Sequence, residues 1–367
     1  MDLRITTLSY SNFRNYESFT LDNVGPLTIF IGRNAIGKTN VLEGIHLLTS
    51  ASSFRHPQIN QLILEGKENA FLQMVTTDEN RLVTVGLNLE KGKRRYTLNG
   101  KSKQASDVRG LLPSVAFTPD DLEIAKKSSS VKRDALDSLG AQLSKNYYVI
   151  HKDYEKVLRY KNRLLKEEAP LALIDAMNET FLTCATQLFC YRVALFDRMM
   201  PLVTRNYRSI SNSEDPFDAR YIPSWCHLDG SWPIEGGYDK SQVTDLLSKS
   251  LSCFGNEEMA RRRSLVGPHN DKISFFISGR DTSSFASQGQ QRSIVLAWKL
   301  AEVEMIRQTV GTNPVLLLDD VMSELDETRR DLLVKHVNED IQTFITATDL
   351  SPFNKDLLDV ANVVKLN

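Results

Sequence analysis

The eight residues Gly32-Arg33-Asn34-Ala35-Ile36-Gly37-Lys38-Thr39 fit the pattern G-x-x-x-x-G-K-S/T, and that pattern restricts the fold around it severely. It works only between the end of a buried strand and the first turn of a helix. Both flanks are present. Leu27-Thr28-Ile29-Phe30-Ile31 is apolar and β-branched, and Val41, Leu42, Ile45, Leu47 and Leu48 return at helical spacing. In that setting the backbone N–H groups of Gly32 to Asn40 converge on phosphate oxygens, and the helix N-terminus adds its positive end. Lys38 is placed for the β- and γ-phosphates of ATP, and the Thr39 hydroxyl for Mg²⁺. A chance match in a turn is the competing reading, and the flanks argue against it.

The second half of such a site lies far downstream. Pro314-Val315-Leu316-Leu317-Leu318-Asp319-Asp320 is an apolar strand ending in two carboxylates. Asp319, at the carboxyl end of a buried parallel strand, is placed to hold Mg²⁺, and Asp320 to polarise the attacking water as the catalytic residue. A strand with an acidic turn would explain the run if no phosphate loop preceded it. Ser287-Gln288-Gly289-Gln290-Gln291-Arg292-Ser293 opens a helix through Leu296, Leu300, Val303 and Ile306. Its small residue and free N–H groups make Ser287, Gly289 and Gln290 a second anion site. Ser323-Glu324-Leu325-Asp326 follows the acidic strand, and Asp326 also suits an ordinary helix N-cap. Ile345-Thr346-Ala347-Thr348-Asp349 is a third apolar strand with a polar end, where a γ-phosphate sensor would sit.

With 367 residues the chain can build two or three domains' worth of core. Leu3–Leu8, 71–77, 82–89, 94–98 and Ser114–Phe117 read as strands, with Asn99-Gly100 as a hairpin turn. From about Val131 to Met200 the character changes to charged helix, broken at Glu167-Glu168-Ala169-Pro170. Two long helices, an antiparallel arm, are expected there. An irregular stretch at roughly 211–238, a helix near 241–252 and sheet at Ile273–Ile277 complete the chain. The expected fold class is α/β: a two-lobed ATPase head, residues 1–126 and 264–367, with an inserted helical lobe at 127–263. Cys184, Cys190, Cys226 and Cys253 show no metal-ligand spacing and read as reduced thiols. No secretory leader and no membrane span is expected, which suggests a cytoplasmic protein without a membrane partner.

The formal net charge of −1 carries no global polyanion signature, so contact with nucleic acid must come from local patches. Lys91, Lys93, Arg94, Arg95, Lys101 and Lys103 gather on one expected hairpin, and Arg261-Arg262-Arg263 form a second group. Lys152, Lys156, Arg159, Lys161, Arg163 and Lys166 crowd the first long helix, where Asp153, Glu155 and Glu167 offer them partners. Each group suits phosphate contact without base readout. A solvated face is an equal alternative for any one cluster, and the favoured one on the helix. His269, beside Gly267-Pro268, reads as a structural histidine before a catalytic one.

The phosphate loop, then Ser-x-Gly-Gln, then the acidic strand and Ser-x-Leu-Asp, split by a long helical insertion, resemble the ABC-type ATPase heads of the SMC group. Within it the chain is similar to the RecF family of bacterial recombination mediators. Asn12-Phe13-Arg14-Asn15-Tyr16, Ser53-Phe54-Arg55, Leu98-Asn99-Gly100, Phe117-Thr118-Pro119-Asp120-Asp121-Leu122, Gly267-Pro268-His269 and the residues from Leu317 to Asp326 carry the likeness end to end. The resemblance implies that Arg14, Asn15 and Asp326 join the nucleotide-binding set. It implies an ATPase that forms a homodimer with ATP and binds double-stranded DNA near single-strand gaps, and Asp320, one methylene shorter than the usual Glu, points to weak, slow turnover. It also implies work with RecR and RecO in placing RecA on single-stranded DNA, in replication, DNA-damage repair and the SOS response. The ATPase subunit of a membrane transporter shares the core motifs and is the alternative. The chain departs from the family at Ala35, where a glycine is usual, at Ser130-Val131-Lys132-Arg133, at Asn270-Asp271, and at Asp320, where Glu is usual.

Overall fold

Strands buried on both faces read as unbroken apolar runs, whereas strands with one wet face alternate. Both kinds occur here. The computed structural model describes residues 3–78, 80–126, 128–211, 215–225, 239–337 and 341–366. Chain contacts divide it into two units, residues 1–122 with 298–367, and residues 123–297.

The first unit holds two sheets. β1 (Arg4–Phe13), β2 (Tyr16–Asp22), β4 (Asn69–Thr77), β5 (Leu82–Glu90), β6 (Lys93–Leu98) and β7 (Lys101–Lys103) form an antiparallel sheet in the order β2-β1-β4-β5-β6-β7. Their inward residues alternate with more exposed ones, as in β4, where Ala70, Leu72 and Met74 are buried. The β6–β7 turn is Asn99-Gly100 with φ of 50° and 76°, the double positive φ that a two-residue hairpin turn demands. β3 (Leu27–Ile31), β8 (Ser114–Phe117), β12 (Val315–Asp319), β13 (Thr343–Ala347) and β14 (Asn362–Lys365) form a parallel sheet in the order β14-β3-β13-β12-β8. β8, β12 and β13 are buried throughout. The helix Lys38–Ser50 packs Val41, Leu42, Ile45 and Leu48 into one core with Leu8, Leu72, Leu87 and Phe344. Burial of each such side chain stabilises by about 1.5–3 kcal/mol.

The second unit carries the helices Ser129–Leu143, Lys145–Lys166, Leu171–Ser211 and Lys240–Arg261, with a small sheet of β9 (Phe217–Ile222), β10 (Lys272–Ile277) and β11 (Arg280–Asp281). Leu165 meets Ile174, Tyr154 meets Phe181 and Tyr147 meets Tyr191, so the second and third helices run antiparallel. The expected two helices are therefore three. Ser144 takes an extended conformation and its hydroxyl accepts from the Tyr147 N–H, ending one helix and capping the next. The leucine rhythm continues across that break and hides it. The helix expected near 241–252 runs on to Arg261. β9 lies inside the stretch read as irregular, and residues 212–214 and 226–238, with Cys226, lie outside the described residues. Because β10 pairs with β9, residues 264–297 cluster with the helices, whereas the sequence pointed to a return into the head at 264. Among the described residues no helix is long and apolar enough to cross a membrane.

Candidate functional site

β3 runs beside β13, and β13 beside β12, all parallel, with Asp319 level with Thr346. The carboxyl ends of three neighbouring strands therefore open on one edge, the usual place for a ligand in an open α/β sheet. The phosphate loop leaves β3 and the helix Lys38–Ser50 begins there. Gly37 stands at φ 112°, and a Cβ on it would sit 2.6 Å from Asn15 Nδ2. Ala35 also takes a left-handed φ, 65°. A Cβ there is strained, so the departure from glycine falls where glycine is most useful.

The loop's side chains are organised before any ligand. Lys38 is buried, and its ammonium donates to the carbonyls of Gly32 at 2.7 Å and Arg33 at 3.1 Å, so the cation lies across the loop. Asn15 donates to the Ile36 carbonyl at 2.8 Å and accepts from Asn40 at 2.7 Å. Across the sheet edge, Asp319 Oδ1 accepts from Thr39 Oγ1 and Thr346 Oγ1, each at 2.8 Å. Burial pushes the Asp319 carboxyl up from its ordinary value, while both hydroxyls and the positive Arg55 pull it back. Asp320 follows at φ 54°, its N–H donating to Thr346 Oγ1 at 2.9 Å. Backbone held in that region is a mark of functional turns.

This set fits Mg²⁺ with a nucleoside triphosphate. A hydroxyl and one carboxylate are hard oxygen donors, and Mg²⁺ usually takes few protein ligands beside phosphate and water. Among the described residues no cluster of three or more His, Cys, Asp or Glu could hold a metal alone. Cys184, Cys190 and Cys253 are free thiols.

Arg14 behaves differently from the expectation of a nucleotide ligand. Its guanidinium grips Glu43 through Nε at 2.8 Å and Nη2 at 2.7 Å, and donates to the Gln61 carbonyl at 2.9 Å. Sequence reasoning passed over Glu43, and named Arg55 only within a family motif and not as a site residue. The signal was there: a lone carboxylate on the buried face of the phosphate-loop helix needs a cation.

Ser287, Gly289 and Gln290 belong to the second unit. Ser287 and Gln290 form a reciprocal cap, Ser287 N–H to Gln290 Oε1 at 2.9 Å and Gln290 N–H to Ser287 Oγ at 3.2 Å. Asp326 Oδ1 accepts from the Arg329 N–H at 3.0 Å, so it caps the helix Glu327–Val337.

The basic groups also sort themselves. Lys91, Lys93, Lys101 and Lys103 are exposed around the β5–β6–β7 edge and carry no ion pair among the described residues, and only Arg95 has an acid nearby, Glu90 at 3.8 Å. Arg261 is paired with Glu257 at 2.6 Å and Arg262 with Glu168, leaving Arg263. On the long helix, Lys152 pairs with Glu155 and Arg163 with Glu167, while Lys161 is fully buried against Glu258 at 2.7 Å. His269 is a structural residue: Tyr154 OH lies 2.6 Å from Nδ1, and burial pushes its pKa down to about 4.

Residues 4–364 match the family model described as RecF/RecN/SMC N terminal domain. The DNA replication and repair protein RecF of Symbiobacterium thermophilum is 35% identical over 94% of this chain and 92% of its own length. That of Gloeobacter violaceus is 34% identical over 99% and 96%. A solved structure of the recombination mediator protein RecF-ATP in the RecFOR pathway superposes with a TM-score of 0.87 at 27% identity, covering 96% of this chain and 94% of the other. The Smc head domain of Pyrococcus furiosus shares the fold, with a TM-score of 0.52 at 14% identity over 99% and 93% of the two chains.

Proposed function

This chain belongs to the RecF/RecN/SMC family as a RecF-type member, and on that premise we propose that it is an ATP-binding, DNA-associated mediator of recombinational gap repair. One observation carries the reading: Asp319 and Thr346, at the ends of adjacent parallel strands, meet Thr39 from the first turn of the helix that follows the phosphate loop. Lys38 and the loop N–H groups bind the β- and γ-phosphates. Thr39 and Asp319 hold Mg²⁺, which when bound neutralises phosphate charge. Asp320 orients the attacking water. Its side chain is one methylene shorter than the Glu usual in such heads, so hydrolysis is slow and times release.

A loop that binds phosphates in one unit and a Ser-x-Gly-Gln helix start in another suit a two-fold dimer. Ser287, Gly289 and Gln290 of one copy, with Asp326, complete the site around the nucleotide of the second. The chain is a monomer or weak dimer without nucleotide and a tighter homodimer with ATP. The unpaired lysines of the β5–β6–β7 edge, with Arg94 and Arg95, contact DNA phosphates at single-strand gaps, and Arg261–Arg263 contribute less because two are already paired. RecR is the partner through which RecO and RecA are engaged, in the cytoplasm. Likeness to RecF chains over nearly the whole length leaves the transporter alternative with no observation in its favour.

The test measures DNA binding with ATP and without it, across a salt series. The reading expects ATP-dependent binding that falls steeply with salt. Replacing Lys91, Lys93, Arg94 and Arg95 together by Ala should weaken binding and flatten the slope. An ATP-independent interaction would sink the clamp, and an unchanged slope would move the contact off this edge.

A further inference from the structure

A groove of about 380 Å³ lies between the helices Leu171–Ser211 and Lys240–Arg261, wholly within the second unit. Small-molecule sites usually measure about 300–1,000 Å³. Its apolar lining comes from Leu165, Leu171, Ile174, Leu182, Leu251 and Met259. It shares no residue with the nucleotide-binding set. One lining residue explains why the space is open. Gly255 sits in the interior of the helix Lys240–Arg261, where glycine is the least favourable residue after proline. A Cβ built on it would meet nothing within 4 Å. The chain therefore forgoes a side chain that the helix would accept and the groove would accommodate.

The charged lining has one sign. Asp175, Glu179 and Glu258 supply it, and no Lys or Arg lines the groove among the described residues. Glu258 is neutralised by the chain itself: Oε2 meets the Lys161 ammonium at 2.7 Å, and Oε1 accepts from Ser264 Oγ at 3.0 Å and the Leu265 N–H at 2.8 Å. Asp175 and Glu179 are exposed and carry no ion pair among the described residues. Asn178 lines the groove beside them, its Oδ1 buried without a hydrogen-bond partner among the described residues. A buried acceptor in that state marks a missing donor. Asp175 and Glu179 are one helical turn apart, which sets their Cβ atoms about 5–6 Å from each other. Two carboxylates at that spacing, a free acceptor and an apolar floor suit two cationic N–H donors joined by methylenes. An inorganic dication makes no use of the floor, and a neutral apolar molecule leaves the carboxylates unanswered.

We propose that this groove binds an aliphatic diamine of the putrescine kind. Its ammonium groups meet Asp175 and Glu179, one of them also donates to Asn178 Oδ1, and its methylenes lie against Leu182 and Leu251. Gly255 keeps the groove open. Because the ligand touches both helices, occupancy stabilises the folded second unit.

The experiment titrates the full, nucleotide-free chain calorimetrically with putrescine at fixed ionic strength, beside n-butylammonium, Mg²⁺ and N-acetyl-lysine amide. It also follows the thermal midpoint of each variant with and without putrescine. One equivalent of putrescine should bind, n-butylammonium about fivefold more weakly through the loss of one exposed ion pair, and equimolar Mg²⁺ should not displace it. Asp175→Asn and Glu179→Gln alter exposed positions and should each weaken putrescine about fivefold. Gly255→Leu should abolish binding while the ligand-free midpoint holds or rises, since leucine is the better helix former and fills the groove. If that variant does not fold, Gly255→Ala takes its place, with weaker binding and a raised midpoint expected. Putrescine binding that survives the Gly255 substitution, displacement by equimolar Mg²⁺, or n-butylammonium binding as tightly as putrescine would overturn the proposal and leave a diffuse acidic surface. N-acetyl-lysine amide binding as tightly as putrescine would overturn it in favour of a lysine side chain from another protein.

Discussion

Glu43 in the first unit and Asp137 in the second are both buried carboxylates gripped by an arginine through two nitrogens. Their surroundings differ. Asp137 accepts from Arg192 at 2.9 and 2.8 Å and from Tyr147 at 2.6 Å, with His151 at 3.2 Å. Arg192, itself 3% exposed, donates its remaining nitrogen to the Pro268 carbonyl at 2.6 Å. Next to it Asp271 accepts from Tyr221 and the Ser224 N–H. Every charge there faces inward and is answered by the fold, tying the helices Ser129–Leu143, Lys145–Lys166 and Leu171–Ser211 to Gly267-Pro268-His269. Around Glu43 the answering charges exceed the need, and the surplus, Arg55, opens toward the loop. The network around Asp137 is closed, whereas the one around Glu43 leaves a guanidinium half exposed beside the phosphate loop.

That contrast is breakable. The largest effect should come from Asp137→Ala, which leaves Arg192 buried without a counter-charge. A loss of about 3–5 kcal/mol is expected, read from the denaturant midpoint, with ATP affinity of the folded protein unchanged. An unchanged midpoint would mean that the inward network is not architectural. Lys38→Ala should do the reverse. Among the described residues its ammonium bonds only to loop carbonyls, so the unfolding midpoint should hold while ATP affinity falls by about 1.5–3 kcal/mol, the worth of charge-assisted contacts. Equal ATP titrations for the two proteins would remove Lys38 from the site. Lys38→Arg should impair turnover more than binding.

A third buried carboxylate sharpens the comparison through pH. Glu302 accepts from Trp298 Nε1 at 2.6 Å and lies 3.6 Å from the Lys299 ammonium, which also meets Asp121 at 2.9 Å. Burial pushes its pKa up to about 7, with Lys299 pulling the other way. A carboxyl raised on folding contributes stability that is complete below its unfolded pKa and disappears as pH rises through the folded one. Wild type should therefore lose about 1–3 kcal/mol relative to Glu302→Gln between pH 5 and pH 8. Parallel stability curves for the two would show that Glu302 titrates normally. The smallest effect belongs to Ala35→Gly. Relief of the left-handed strain at φ 65° should tighten ATP by about 1 kcal/mol at most, and weaker binding would mean that the Ala35 methyl helps shape the loop.

Much of the site was legible because its signals are local. The phosphate loop, the acidic end of β12 and the Asn99-Gly100 turn each occupy fewer than ten residues and depend on turn chemistry and runs of burial. The same locality misled where a periodic pattern ran through a break. Leu139, Leu143 and Tyr147 keep helical spacing across Ser144, and only its extended backbone reveals two helices. β9 was missed because a single strand in a polar stretch has no meaning until β10, some fifty residues later, pairs with it. Lys161 looked like one more cation on a charged face, and only packing against Glu258 shows that it is interior.

What the chain's own order of residues determined, then, is which segments become strand, loop and helix, and that a phosphate loop, an acidic strand and a capped helix start all occur. Those outcomes follow from backbone preferences and from apolar periods that need no distant partner. Tertiary structure decided who meets whom. It set β13 between β3 and β12, so that Thr346 shares Asp319 with Thr39, a residue 280 positions away. It turned Arg14 from the loop to Glu43 and left Arg55 at the rim. It left Lys91 and Lys93 without an ion pair among the described residues while matching Arg261 and Arg262 with acids. The physical reason is that a charge is neutral to fold until burial removes its water, and burial is a property of the packed chain rather than of any stretch of it.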